Sequence, residues 1–213
     1  MLKLKLDNNV FLLYAITDRA WLNEKTLPEV VEEAILGGAT FIQLREKNLD
    51  YEEFLKTARE IKEVTDKYNI PFVINDNVNI AASIDADGAH IGQSDEEIKT
   101  VREKLGLNKI IGLSAATVED AVRAEQGGAD YIGVGAVFNT STKLDANTVS
   151  FETLKEICNT VSIPVVAIGG ISKENVLELT GTGIAGISVV SAIFAQDNIK
   201  AAASELLELA KQI

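Results

Sequence analysis

Hydrophobic positions in this chain fall into short continuous runs bounded by Gly, Asp or Asn. Eight of them read as buried strands: Phe11–Ile16, Phe41–Leu44, Phe72–Asn75, Gly88–Ile91, Ile110–Ser114, Tyr131–Val134, Val165–Ile168 and Ile187–Val190. They are rich in Val, Ile, Phe and Tyr and too continuous for a half-exposed sheet, which suits parallel strands covered by helices. Between them, apolar residues recur three and four apart over Leu27–Leu36, Tyr51–Tyr68, Glu96–Leu105, Val118–Gln126, Phe151–Val161, Lys173–Leu179 and Ile199–Gln212, the spacing of amphipathic helices. Asn77–Ile84 is a shorter helical pattern. Thr26, Asp50, Ser94, Thr117, Ser150 and Ser172 stand where helix N-caps are expected.

A faint internal repeat supports the same unit. Gly37-Gly38-Ala39-Thr40-Phe41-Ile42 resembles Gly127-Gly128-Ala129-Asp130-Tyr131-Ile132, and in both a glycine pair ends a helix just before a strand. Eight strand–helix units in this length predict a (β/α)8 TIM barrel of class α/β, with an open doubly wound sheet as the alternative. The eighth unit is complete and no dinucleotide-binding glycine fingerprint follows the first strand, which favours the barrel. No Pro/Ser-rich linker interrupts residues 1–213, so one catalytic-size domain is expected.

Composition narrows the function classes. A chain of 213 residues can bury about 70% of its unfolded surface, enough for a full core. The net charge of −12 argues against nucleic acid or an anionic membrane surface as partner. Cys158 is the one cysteine, which excludes an intrachain disulfide. No apolar run approaches the ~20 residues of a membrane helix, and MLKLKLDNNV lacks the apolar stretch of a secretory signal. A cytoplasmic location is expected; the oligomeric state is left open, a homo-oligomer included.

Barrel chemistry gathers at the C-terminal strand ends, and polar residues cluster there: Thr17-Asp18, Gln43 to Lys47, Asn75-Asp76, Gln93 to Asp95, Ser114, Thr140 to Lys143, Gly169-Gly170 and Ser191. Residues two apart on a strand face the same way, so Gln43, Arg45 and Lys47 form a row suited to a polyanion. The plainer reading is a solvated strand end with surface ion pairs. Asp76 and Asp95 follow adjacent strands and could be caps. Beside a phosphate site they would repel the ligand unless a cation intervenes, and Mg²⁺ meets that need. Gly169-Gly170 and Val190-Ser191 suit a second anion site at strands seven and eight. His90, the single histidine, reads as a packed, hydrogen-bonded strand residue, Cys158 as an inert thiol, and Trp21 as packing at the core or barrel rim.

Taken in order, these pieces resemble the thiamin-phosphate synthase family, also called thiamin-phosphate pyrophosphorylase. The resemblance runs from Tyr14-Ala15-Ile16-Thr17-Asp18 to Val190-Ser191-Ala192-Ile193. It includes Gln43 to Lys47, Ile74-Asn75-Asp76, Asp87 to Asp95, Ile111 to Ser114, Gly128 to Gly133, Thr140 to Lys143 and Val166 to Ile171. It implies a transferase that joins an aminopyrimidine methyl diphosphate to a hydroxyethylthiazole phosphate, releasing pyrophosphate. By matching position, Gln43, Arg45, Lys47, Asn75 and Lys143 would hold the pyrimidine diphosphate, and Asp76 and Asp95 would bind Mg²⁺. Ser114 would contact the pyrimidine. Thr140, Thr142, Gly170, Val190 and Ser191 would bind the thiazole phosphate. Lys143, Ser114 and Arg45 are the residues the resemblance puts closest to catalysis. The implied route is dissociative, with pyrophosphate leaving before the thiazole nitrogen attacks, so no protein nucleophile is required.

At four positions the chain departs from the family pattern: Ala136 and Asn139 replace common prolines, Ala116 a frequent histidine and Ser150 a common glycine. Two rival readings remain at this level. A phosphate-binding barrel isomerase or epimerase would need a positioned acid–base pair and would leave Arg45, Lys47 and Lys143 without an obvious purpose. A ligand-binding or tautomerase-like relative without synthase activity would be favoured by an incomplete diphosphate and metal set.

Overall fold

The computed structural model describes residues 8–22, 24–93, 95–139 and 148–213. Its strands are β1 Leu13–Ile16, β2 Phe41–Leu44, β3 Phe72–Asn75, β4 Gly88–Ile91, β5 Ile110–Ala115, β6 Tyr131–Gly135, β7 Val165–Ile168 and β8 Gly186–Val189. They pair in parallel in chain order, and β8 returns to β1 through Leu13–Ile187 and Ala15–Val189, closing the barrel. The helices are α1 Leu27–Leu36, α2 Tyr51–Tyr68, α3 Val78–Ser83, α4 Ile98–Leu105, α5 Val118–Gly127, α6 Phe151–Thr160, α7 Ser191–Phe194 and α8 Ile199–Ala210. The fold class read from the sequence is the one observed.

Two apolar layers result from the strand alternation. Leu13, Ala15, Ile42, Leu44 and Ile74 point outward into the helix-facing core. Tyr14, Ile16, Phe41, Val73, Tyr131 and Val166 point inward and fill the barrel. Several helices begin as their sequences predict. Asp50 accepts from the Glu53 N–H at 2.9 Å and Thr117 from the Asp120 N–H at 3.1 Å. The Ser150 hydroxyl accepts from the Thr153 N–H, and the Glu29 carboxylate accepts both the Thr26 N–H and hydroxyl.

The repeat has a physical basis. Gly38 and Gly128 lie at φ 108° and 93°, where a side chain is disfavoured. Ala39 and Ala129 then donate back to Ala34 and Ala124, closing the same turn. The next residue grips the preceding strand's start: Thr40 Oγ1 accepts from the Leu13 N–H, and Asp130 Oδ2 from the Ile111 N–H. Asp87 does the same for Phe72. Polar residues at the N-terminal strand ends therefore serve to align strands.

Some boundaries differ from the sequence reading. Phe11 does not open β1; Asn8–Phe11 is a 3-10 turn. The buried Phe11 ring packs 4.7 Å from Tyr131 and 5.0 Å from Phe41, stopping the barrel floor. Helix α4 starts at Ile98 with Glu97 at the cap position, so Asp95 does not cap it; the expected cap Ser94 lies outside the described residues. Lys173–Leu179 is not an α-helix: Asn175 Oδ1 takes the Ser172 N–H, and only a 3-10 turn Val176–Leu179 follows. The short α7 carries too few residues to show a helical period. Trp21 is not core, being 40% exposed.

Candidate active site

A cavity of about 180 Å³ opens at the C-terminal mouth of the barrel. Its lining includes Arg45, Ser114, Gly170, Val190 and Ser191, five of the residues singled out from sequence, together with Ile16, Ile168 and Ser188. Arg45 stands one residue beyond β2, where its N–H donates to the buried Thr17 hydroxyl at 3.1 Å. Next to it, the largely enclosed Glu46 carboxylate turns away and accepts from Arg19 Nε at 2.5 Å. Burial pushes the Glu46 acid up, and the Arg19 charge opposes that. This pair ties the loop after β1 to the loop after β2, and alternation leaves Arg45 on the cavity side.

The loops after β6 and β7 form the opposite wall. Gly169 and Gly170 lie at φ 100° and 66°. A Cβ on Gly169 would come within 2.5 Å of Ala136, and one on Gly170 within 2.3 Å of the Asn139 carbonyl oxygen. The glycine pair is therefore needed for loop packing as well as for access to a ligand. Asn175 Nδ2 holds the Gly170 carbonyl at 2.9 Å. The amide N–H groups of Gly170, Val190 and Ser191 have no backbone acceptor among the described residues, leaving three donors along one wall. That wall suits an anion.

Lys47, Asn75, Asp76 and Asp95 sit at the same barrel mouth, outside the cavity lining. Lys47 Nζ lies 2.9 Å from Asp76 Oδ2, joining the loops after β2 and β3. Asp76 has φ 59°, a strained setting that aspartate tolerates better than most residues, and its N–H donates to the His90 carbonyl at 2.9 Å. Asp95 Oδ2 accepts the Gly92 N–H at 2.6 Å. Neither Oδ1 has a hydrogen-bond partner among the described residues. Two carboxylates on adjacent strand ends, each with a spare oxygen, fit a hard divalent cation that draws its other ligands from phosphate and water. Among the described residues no cluster of three or more His, Cys, Asp or Glu is placed to hold a metal by itself.

Gln43 is placed differently from Arg45. It is 2% exposed, inside the barrel, and its amide Nε2 donates to Tyr14 Oη. From there a buried polar chain crosses the interior: Tyr14 Oη to Tyr131 Oη at 2.8 Å, Tyr131 Oη to His90 Nδ1 at 2.9 Å, and His90 Nε2 to Ser114 Oγ at 3.0 Å. Burial pushes both tyrosine hydroxyls up and the imidazole down to about 4. His90 is thus packed and hydrogen-bonded, and it also touches a cavity residue. The Ser114 carbonyl is held separately by Gln93 Nε2 at 2.8 Å. Tyr14, Tyr131 and Ser188 were not singled out from sequence; their one signal is inward strand parity shared with Gln43, His90 and Ser114.

Cys158 lies on α6, and burial pushes its thiol up to about 11, so it stays protonated. Thr140, Thr142 and Lys143 lie outside the described residues. Among the described residues no helix is long and apolar enough to cross a membrane.

Comparison with known proteins places this arrangement. A family model described as thiamine monophosphate synthase matches residues 13–193. The thiamine-phosphate synthase of Ruminiclostridium cellulolyticum is 52% identical over 208 residues, covering 98% of each chain. That of Clostridium tetani is 54% identical over 194 residues, 91% of this chain and 93% of the relative. The solved thiamine phosphate pyrophosphorylase of Pyrococcus furiosus superposes with a TM-score of 0.89 at 40% identity, covering 96% of this chain and 97% of that one. With the match running through every strand that builds the mouth, this chain belongs to the thiamine monophosphate synthase family.

Proposed function

We propose that this protein joins 4-amino-2-methyl-5-(diphosphooxymethyl)pyrimidine to 4-methyl-5-(2-phosphooxyethyl)thiazole, giving thiamin monophosphate and pyrophosphate. Family membership makes it a transferase of thiamin biosynthesis; the substrates and the route are our reading. The observation that carries it is the cavity itself, with a guanidinium and a hydroxyl on one side and, on the other, backbone amides that have no backbone acceptor among the described residues. Two anionic ligands need two such walls.

Arg45 and Lys47 would receive the pyrimidine diphosphate, with Gln43 and Asn75 beneath them, and Ser114 would meet the ring. Gly170, Val190 and Ser191 would hold the thiazole phosphate through N–H groups. Asp76 and Asp95 would hold Mg²⁺, which when bound neutralises diphosphate charge. The methylene carbon–oxygen bond breaks with its electron pair leaving on pyrophosphate. The ring-stabilised cation is then captured by the thiazole nitrogen, forming the carbon–nitrogen bond. Arg45 stabilises departing negative charge, and the apolar Ile16 and Ile168 keep water from the cation. Thr140, Thr142 and Lys143 are assigned to the two phosphate groups by the family resemblance alone.

The test is product formation from the two purified substrates, with and without Mg²⁺. Synthesis of thiamin monophosphate supports the reading. Absence of product with a folded protein, at saturating substrates and metal, would overturn it in favour of a ligand-binding relative.

A further inference from the structure

The buried chain from Gln43 to Ser114 has a direction. The Gln43 amide nitrogen offers hydrogens and no lone pair, so Tyr14 Oη must accept from it. Tyr14 then gives its single hydrogen to Tyr131 Oη at 2.8 Å, and Tyr131 gives its own to His90 Nδ1 at 2.9 Å. A nitrogen that accepts carries no hydrogen, so the neutral ring carries it on Nε2. That N–H faces Ser114 Oγ at 3.0 Å. Ser114 accepts, and its own hydrogen is left for the cavity it lines.

We propose that Tyr14, Tyr131 and His90 are positioning residues that hold His90 as the Nε2–H tautomer and so make Ser114 a committed donor to an acceptor nitrogen of the bound pyrimidine. Specificity follows from the polarity. A site committed to donating disfavours a ring that presents a donor at the same point, because both groups would be left unpaired. The glycines beside the chain make room for it: a Cβ on Gly112 would fall 2.1 Å from the Tyr131 ring, and one on Gly133 lies 3.3 Å from His90 Cε1. The proposal rests on the pyrimidine occupying the Ser114 side of the cavity, as set out above.

Two measurements test it. The chain has one histidine, so ¹⁵N-histidine labelling gives a single ring whose long-range proton–nitrogen correlations report the tautomer directly in the unaltered protein. Nε2–H is expected at neutral pH, and Nδ1–H would overturn the proposal, since Ser114 would then be a donor to His90 and an acceptor toward the ligand. This outcome is independent of whether the protein makes thiamin monophosphate. The second measurement is a double-mutant cycle. Ser114→Ala and Tyr131→Phe should each raise KM for the pyrimidine diphosphate by up to roughly tenfold, the size of one hydrogen bond, with KM for the thiazole phosphate unchanged. Combined, they should cost little more than either alone. Fully additive effects, or equal changes in both KM values, would mean that Tyr131 only supports the core.

Discussion

Ser188 is 3% exposed, lines the cavity, and its hydroxyl has no hydrogen-bond partner among the described residues. A buried unsatisfied hydroxyl costs about 1–3 kcal/mol, so Ser188→Ala should stabilise the protein by about 1 kcal/mol or less and raise Tm by about 2–4 °C. Thermal melting checks this, and a fall in Tm would mean the hydroxyl has a partner. His90 gives a prediction with a sign. Enclosure holds its imidazole near 4, against 6.5 in the unfolded chain. The unfolded state therefore takes up a proton that the native state refuses between those values, and stability is complete above 6.5 and lost as pH falls toward 4. Urea unfolding should show this residue contributing about 2 kcal/mol of loss between about pH 7.5 and pH 5. The same fall in His90→Gln would assign it to carboxylates instead.

At the scale of elements, the barrel's two ends have separate tasks. Arg102 on α4 lies 2.6 Å from Asp130, with side chains 16% and 10% exposed, and also donates to the Gly128 and Lys109 carbonyls. This pair closes the end of the barrel opposite the cavity. Arg102→Ala removes the guanidinium from the half-buried Asp130 carboxylate, which keeps its Ile111 N–H, and the loss of this charged hydrogen bond should destabilise by about 1–3 kcal/mol. Turnover per folded molecule should be unchanged, as judged by activity normalised to the folded fraction. The helix caps were legible because Asp50, Thr117 and Ser150 act within three residues. Ser172 misled because Asn175 captures its N–H and breaks the helix before it starts.

Over the whole molecule, neighbouring loops and strand ends are laced together at one mouth: Arg19 to Glu46, Lys47 to Asp76, and Gln93 to Ser114 near the end of β5. Such lacing lets a ligand charge on one loop be felt by the next. If Asp76 and Asp95 hold the metal, a chelator should remove turnover and excess Mg²⁺ should restore it. Asp76→Asn should reduce kcat by roughly 10²-fold, whereas a residue that only shaped its turn would cost about 1 kcal/mol of stability and leave turnover near wild type. Steady-state kinetics alongside thermal melting separate these outcomes.

The amino-acid sequence alone determined the order of the eight strands and of most helices, favoured a closed barrel over an open sheet, and marked the strand ends that carry polar residues. Those features follow from periodicity, glycine turns and caps, all of which act over a few neighbouring residues. Motif order along the chain likewise sufficed to suggest the family. Only the tertiary structure decided which inward side chains meet. Tyr14 and Tyr131 are 117 positions apart and share a hydrogen bond because closure brings β1 and β6 across one interior. The same closure turned Phe11 from a strand residue into a floor and made Gln43 a buried donor while Arg45, two residues on, faces the cavity. Local patterns specify parity, but the register and curvature of the closed sheet select each partner.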